Sequence, residues 1–427
     1  MRGKAAIKFD AQRSLIRMPP AGEIVTVLAP GQGTLPRRRS RKGPTTTERL
    51  VAVLAPLLDD SVAIAELNFT KALEARSPAT LRAMTSDLAS YAVFAGDRRG
   101  PALPASAEQL TRWVDHLEAQ RQKPSTIARK LATLATVHAL AGLPCHCSSS
   151  LVRDAMRGLR RRNGTAQRQA AGLRLGDDIG NGAIASFTVA SLLEVCGTDL
   201  PGLRDAALIS LGYDAGLRVS ELVAVTVEAV AVQDNGSGVL EIGRSKTDQE
   251  GQGAFAWLSP ETMRRVAAWR AAAAIRSGPL FPRIGIVRQK ARAARRALAV
   301  SDLAYNARLD MEQMAAQPLR LATTTYSVGT EALTPTAVRA ILKKRALAAA
   351  DQGLVSLFGN DLQRALDAIS THSLRVGLTQ DLFGNGEDAG PIAQALRWSS
   401  IGTALRYGRR LSPNSNAAAR MLTVRRK

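Results

Sequence analysis

The stretch Arg397-Trp-Ser-Ser-Ile-Gly-Thr-Ala-Leu-Arg-Tyr407 decides how the C-terminal half is read, because of what stands before it. Toward the N-terminus come Thr371-His-Ser-Leu-Arg-Val-Gly377, then Gly243-Arg-Ser-Lys-Thr247, then Gly216-Leu-Arg-Val-Ser-Glu221. Arg218, Lys246, His372, Arg375, Trp398 and Tyr407 therefore follow one another in a fixed order, with Glu221 beside the first. These groups suit a phosphodiester. Tyrosine supplies an oxygen nucleophile, arginine holds phosphate oxygens, and lysine and histidine move protons.

No segment is specific alone; the local context of each adds weight. Arg218 follows a glycine break and opens a predicted helix, whose free N–H groups and positive dipole end favour an anion. Glu221, three residues on, shares its face and is able to orient it. His372 and Arg375 also share a helical face, with Ser370 or Thr371 as the cap, and His372 is one of only 4 histidines. Lys246 falls in a polar turn between strands expected at 239–242 and 254–257, where a long ammonium reaches across a groove. Its neighbour Arg244 is the other candidate for phosphate work there. A solvated turn charge is the alternative for both.

Composition narrows the partner. The chain has 427 residues, 45% of them hydrophobic and 4% aromatic, and a net charge of +22. Two domains are expected from that length. The charge calls for a polyanion, with nucleic acid favoured over an anionic membrane. Three cysteines, Cys145, Cys147 and Cys196, make no disulfide framework. Cys145-His146-Cys147 is too tight for ordinary zinc spacing, so no metal or cofactor is expected. No stretch approaches the roughly 18 apolar residues that span a bilayer, and 23–28 is too short for a signal peptide. A cytoplasmic, nucleoid-associated protein is expected.

Residues 1–46 read as a basic, flexible arm around Pro36-Arg-Arg-Arg-Ser-Arg-Lys-Gly-Pro44, either a DNA arm or a solvated tail. Residues 47–163 read as helical throughout. Ser77-Pro78 starts one helix with Leu81, Met84, Leu88 and Tyr91 on one face, and Ser106 with Gln109 forms a capping box. Trp113 and His138 read as core residues. A last helix, 151–162, carries Arg153, Arg157, Arg160, Arg161 and Arg162, which either contact a DNA backbone or form a solvated face. Residues 164–184 read as a linker, and 185–427 as a mixed α/β second domain with an insertion at 284–334. Pro413 should end the helix of Tyr407, leaving a short apolar-sided tail that must dock somewhere.

Together these motifs resemble those of the tyrosine recombinase, or phage-integrase, family, over about 60–427. Gly216–Leu222 resembles its first arginine box, Ile242–Thr247 its β-hairpin lysine motif, His372–Gly377 its second box, and Trp398 to Tyr407 its nucleophile segment. The resemblance implies a mostly α fold, with a helical SAM-like core-binding domain and a mixed α/β catalytic domain closing around double-stranded DNA. It implies that Tyr407 attacks the scissile phosphate to give a 3′-phosphotyrosyl link, and that Arg218 and Arg375 clamp its oxygens. By the same resemblance Lys246 protonates the 5′-oxygen, His372 assists Tyr407, Trp398 donates its indole N–H, and Glu221 supports the site. A homotetramer on two DNA sites, accessory DNA-bending proteins and a mobile-element origin are implied as well.

Two departures stand out. Trp398 replaces the histidine of most members, as it does in the Cre-like ones, and the gap from Lys246 to His372 is long, which fits an insertion at 284–334. Two alternatives share the fold: a type IB topoisomerase-like enzyme, which would relax plasmids lacking any specific site, and a non-catalytic DNA-binding accessory protein, which would form no covalent adduct.

Overall fold

The computed structural model describes residues 23–33, 35, 43–58, 66–96, 102–165, 169–176, 187–243, 253–296, 316–408 and 421. They form two compact units. One lies within 38–168; the other comprises 169–427 together with a strand from the first 37 residues.

The helical unit runs α1 (Thr46–Leu54), α2 (Glu66–Glu74), α3 (Pro78–Ala95), α4 (Ala107–Ala119), α5 (Pro124–Leu140) and α6 (Ser150–Asn163). Short side chains cap the starts: Ser77 accepts from the Thr80 N–H, Ser106 from Gln109 and Ser149 from Val152. The expected capping box at Ser106 is only half formed. The Gln109 side chain instead donates to Tyr91 Oη at 2.7 Å, and Tyr91 Oη donates to the Ala102 carbonyl at 3.0 Å. A buried aromatic that needs a partner outcompetes an exposed cap. Tyr91 meets Trp113 edge-on at 5.0 Å, both fully buried, so Trp113 is core as expected. Buried Asp87 ties α3 to α5 through Arg129 at 2.6 Å and Thr133 at 2.8 Å.

His138 is also a core residue. Its Nδ1 faces the Leu134 carbonyl at 2.7 Å and its Nε2 accepts from the Ala105 N–H at 3.1 Å. Ligand atoms of His138, Cys145 and Cys147 come within 4.8 Å of one another, but both ring nitrogens of the histidine are already engaged.

The second unit begins outside its expected bounds. Strand β1 (Glu23–Leu28) falls in the expected flexible arm, yet it pairs in parallel with a strand 299 residues later, Glu23 opposite Ala322. Its alternation puts Val25 and Val27 into the core, and a half-apolar strand gains more by that burial than by staying solvated. The basic run at 37–42 lies outside the described residues. Part of the expected linker is likewise packed: Leu173 is buried, and its N–H bonds the Ser373 carbonyl at 2.9 Å.

The rest of the unit follows in order as α7 (Val189–Glu194), α8 (Leu200–Asp214), α9 (Val219–Ala224), β2 (Val230–Val232), β3 (Gly238–Ile242), β4 (Ala254–Leu258), α10 (Pro260–Ala272), β5 (Pro282–Gln289) and β6 (Ala322–Ala332). It closes with α11 (Pro335–Asp351), α12 (Gly359–Ala368), α13 (Ser373–Gly384), α14 (Ala389–Ala395) and α15 (Ile401–Gly408). Strands β2, β3 and β4 form one antiparallel sheet; β1, β6 and β5 form a mixed one. The expected insertion at 284–334 is therefore mainly the β5–β6 hairpin. Helix α8, with Ala207, Leu208, Ile209 and Leu211 all fully buried, is the hub of the core.

Candidate active site

Five of the six expected residues converge in the second unit. Lys246 and Arg244 lie outside the described residues, although the strands on either side of them are in place, with Ile242 opposite Ala254.

Arg218 is the N-cap of α9, as the glycine break predicts, and its Nη1 donates to Glu221 at 2.7 Å. Glu221 in turn accepts the Arg218 backbone N–H at 2.9 Å and Arg397 Nη2 at 3.4 Å. Burial alone would raise the Glu221 pKa. The Arg218 N–H and guanidinium, with Arg397, outweigh it and hold the carboxyl below its usual value.

Arg397 is the residue that sequence reasoning did not assign. It adopts φ +55°, rare for a residue with a Cβ, and Nη1 donates to the Ala215 carbonyl at 3.1 Å. Burial lowers its pKa, against the opposing charge of Glu221. Its one signal in the sequence is adjacency to Trp398.

Arg375 is completely buried on α13. Its Nη1 donates to the Gly216 carbonyl at 2.7 Å and its Nη2 to the Leu396 carbonyl, while Nε finds no acceptor among the described residues. Gly216 is needed here. Its φ is +52°, and a Cβ would lie 2.3 Å from a Leu396 methyl. Burial, then the charges of Arg218 and Arg397, push Arg375 down to about 10, so it stays cationic at neutral pH.

His372 is itself the N-cap of α13, with Ser370 Oγ accepting its N–H at 3.1 Å; neither Ser370 nor Thr371 takes the cap position expected for it. Its Nε2 sits 2.6 Å from Tyr407 Oη on α15. The Tyr407 ring stacks on Trp398 at 5.0 Å and 10°, and the Arg375 guanidinium lies 5.1 Å from the Trp398 ring centre. Burial, with Arg375 and Arg218 nearby, lowers the His372 pKa; burial raises that of Tyr407 against Arg375, Arg406 and Arg218. At neutral pH the phenol is therefore protonated and the imidazole free, so the phenol donates. That is the protonation needed to deliver a phenolate to phosphorus.

A cavity of about 910 Å³ in this unit lies elsewhere, lined by Tyr213, Phe255, Trp257 and Asp381 among others, and none of these site residues lines it.

Comparison with known proteins agrees with the geometry. The phage integrase family matches residues 183–412, more than half of the chain. The chain belongs to the phage integrase family. The N-terminal SAM-like domain of phage integrases matches residues 67–142, inside the helical unit of this recombinase. Recombinase cre of Escherichia phage P1 is 24% identical over 384 residues, 88% of this chain and 97% of that protein. An integrase/recombinase xerD homolog of Selenomonas ruminantium is 29% identical over 212 residues, 47% of this recombinase but only 58% of the homolog. Among solved structures, XerH site-specific recombinase bound to a palindromic difH substrate matches with a TM-score of 0.49 at 12% identity, over 89% of this chain and 97% of that one.

On α6 of the helical unit, Arg153, Arg157, Arg160 and Arg161 are all exposed, opposite the buried stripe Val152, Met156 and Leu159. Arg157 pairs with Asp154 at 2.8 Å, and Arg162 with Glu118 at 2.6 Å. Arg153, Arg160 and Arg161 have no acidic partner among the described residues.

Proposed function

We propose that this recombinase is a site-specific DNA recombinase or integrase of a mobile element, with Tyr407 as nucleophile. The observation that carries the reading is the 2.6 Å contact between His372 Nε2 and Tyr407 Oη, beside Arg375 and Trp398. Tyr407 Oη attacks phosphorus, its proton passes to His372, and the bond to the 5′-oxygen breaks as Lys246 protonates that oxygen. A 3′-phosphotyrosyl link and a free 5′-hydroxyl result, and reversal with a different 5′-hydroxyl rejoins the strands. Arg218 and Arg375 neutralise the charge on the pentavalent transition state, and the Trp398 indole N–H donates to it. Because one phosphodiester replaces another, the bond energy is kept. Arg375 is fully buried beneath Trp398, so the Trp398–Tyr407 stack must shift for phosphate to reach it.

Cationic α6 and, beside Lys246, Arg244 bind the DNA backbone. The active form is a homotetramer on two sites, assisted by accessory DNA-bending proteins and acting in the cytoplasm at the nucleoid. The test is a plasmid carrying two cognate sites alongside one carrying none. Recombination of the first with no relaxation of the second is expected; relaxation of the site-free plasmid would identify a topoisomerase-like enzyme instead.

A further inference from the structure

The β5–β6 hairpin extends well past its named strands. Residues pair in one constant register from Ile284 opposite Val328 to Gln289 opposite Thr323, and the bridges Arg292–Arg320 and Arg295–Gln317 continue it. The ribbon is thus roughly 37 Å long at ordinary strand rise. Strand β1 supports β6 only at 322–327, so the outer part is two-stranded among the described residues.

Its charge is one-sided. Residues 284–296 and 316–330 contain Arg288, Lys290, Arg292, Arg295, Arg296 and Arg320 and no acidic residue. All six are exposed. Arg288 turns back to the Tyr326 hydroxyl. Farther out, Lys290 and Arg292 are two apart and Arg320 is directly across from Arg292, so all three share a face. Nearer the base, β6 turns that same face into the core, with Thr324, Tyr326 and Val328 buried. Like charges opposite each other weaken a strand pair. A ribbon that carries Arg292 against Arg320, with no acid among the described residues 284–296 and 316–330, is costly as a free surface and suited to a polyanion.

We propose that this ribbon is a further DNA-contacting element, separate from α6 and Arg244, laying Lys290, Arg292 and Arg320 against phosphates of duplex DNA outside the segment held at Tyr407. A two-stranded ribbon has the dimensions to enter a major groove. The inference rests on the recombinase reading above.

The test measures affinity of the full chain for a long random-sequence duplex as salt is varied. Each lost phosphate contact flattens the slope of log K against log salt by about 0.9, so K290A/R292A/R320A should flatten it by up to roughly 2.7. The charge-keeping K290R/R320K should keep the original slope. An unflattened slope in the triple variant, with its thermal midpoint retained, overturns the proposal. So does an unflattened slope accompanied by lost self-association, which would make the ribbon a protein contact. A wild-type chain that binds no DNA would sink the recombinase reading, whereas a binding wild type with an unchanged triple variant sinks only the ribbon.

Discussion

The pairing of His372 with Tyr407 makes a prediction in pH. The rate of covalent adduct formation should be flat through neutrality and fall only below pH 6.5, the ordinary histidine value, because burial and Arg375 hold His372 lower. A fall beginning above pH 7 in a single-turnover pH profile would contradict a neutral base. Glu221 makes a second. Among the described residues it is the acid that bonds both Arg218 and Arg397, and removing its charge takes the counter-charge from between two guanidinium groups. Glu221→Gln should cost about 3–5 kcal/mol in denaturant unfolding. The folded carboxyl titrates below 4.5, so the unfolded chain takes up the proton first. The stability it contributes is present above about pH 4.5 and is lost as pH falls through the depressed value; the Gln variant should lack that acid-dependent loss. At this scale the sequence was a good guide to which side chains the fold brings together, as at Tyr407, His372 and Arg375. It was silent on Arg397, whose role comes from a backbone twist and a carboxylate 176 residues away.

Helices of the first unit were legible because caps and apolar spacing are local signals, from Ser77 to Leu88. Strand β1 was not. Six residues among breakers and basic runs gain strand structure only from β6, far along the chain, and no local signal reports that pairing. The hairpin at 284–334 read poorly for a similar reason, since its outer positions are Arg and Ala and lack strand alternation. The part of the linker at 169–176 was hidden by its Gly and polar residues, although Gly377 makes room for it: a Cβ there would lie 1.8 Å from the Leu173 carbonyl. A prediction follows for β1. Deleting residues 1–28 removes buried Val25 and Val27 and bares the edge of β6. Thermal unfolding should show a loss of roughly 3–6 kcal/mol, at about 1.5–3 kcal/mol per buried valine. An unchanged midpoint would return this segment to the status of a passive arm.

Across the whole molecule, a net charge of +22, an arginine-faced helix in one unit and a tyrosine–histidine pair in the other all point to DNA as the substrate. Of the tail beyond Pro413, expected to dock on its own domain or on a neighbouring protomer, all but exposed Met421 lies outside the described residues. The central claim is that Tyr407 becomes covalently joined to DNA. The direct measurement is mass-spectrometric mapping of the adduct trapped on nicked cognate DNA. The account predicts a single modified peptide carrying Tyr407, and in Tyr407→Phe retained DNA binding with no adduct. An adduct that persists in that variant, or that maps to Tyr326 or Tyr305, would contradict it.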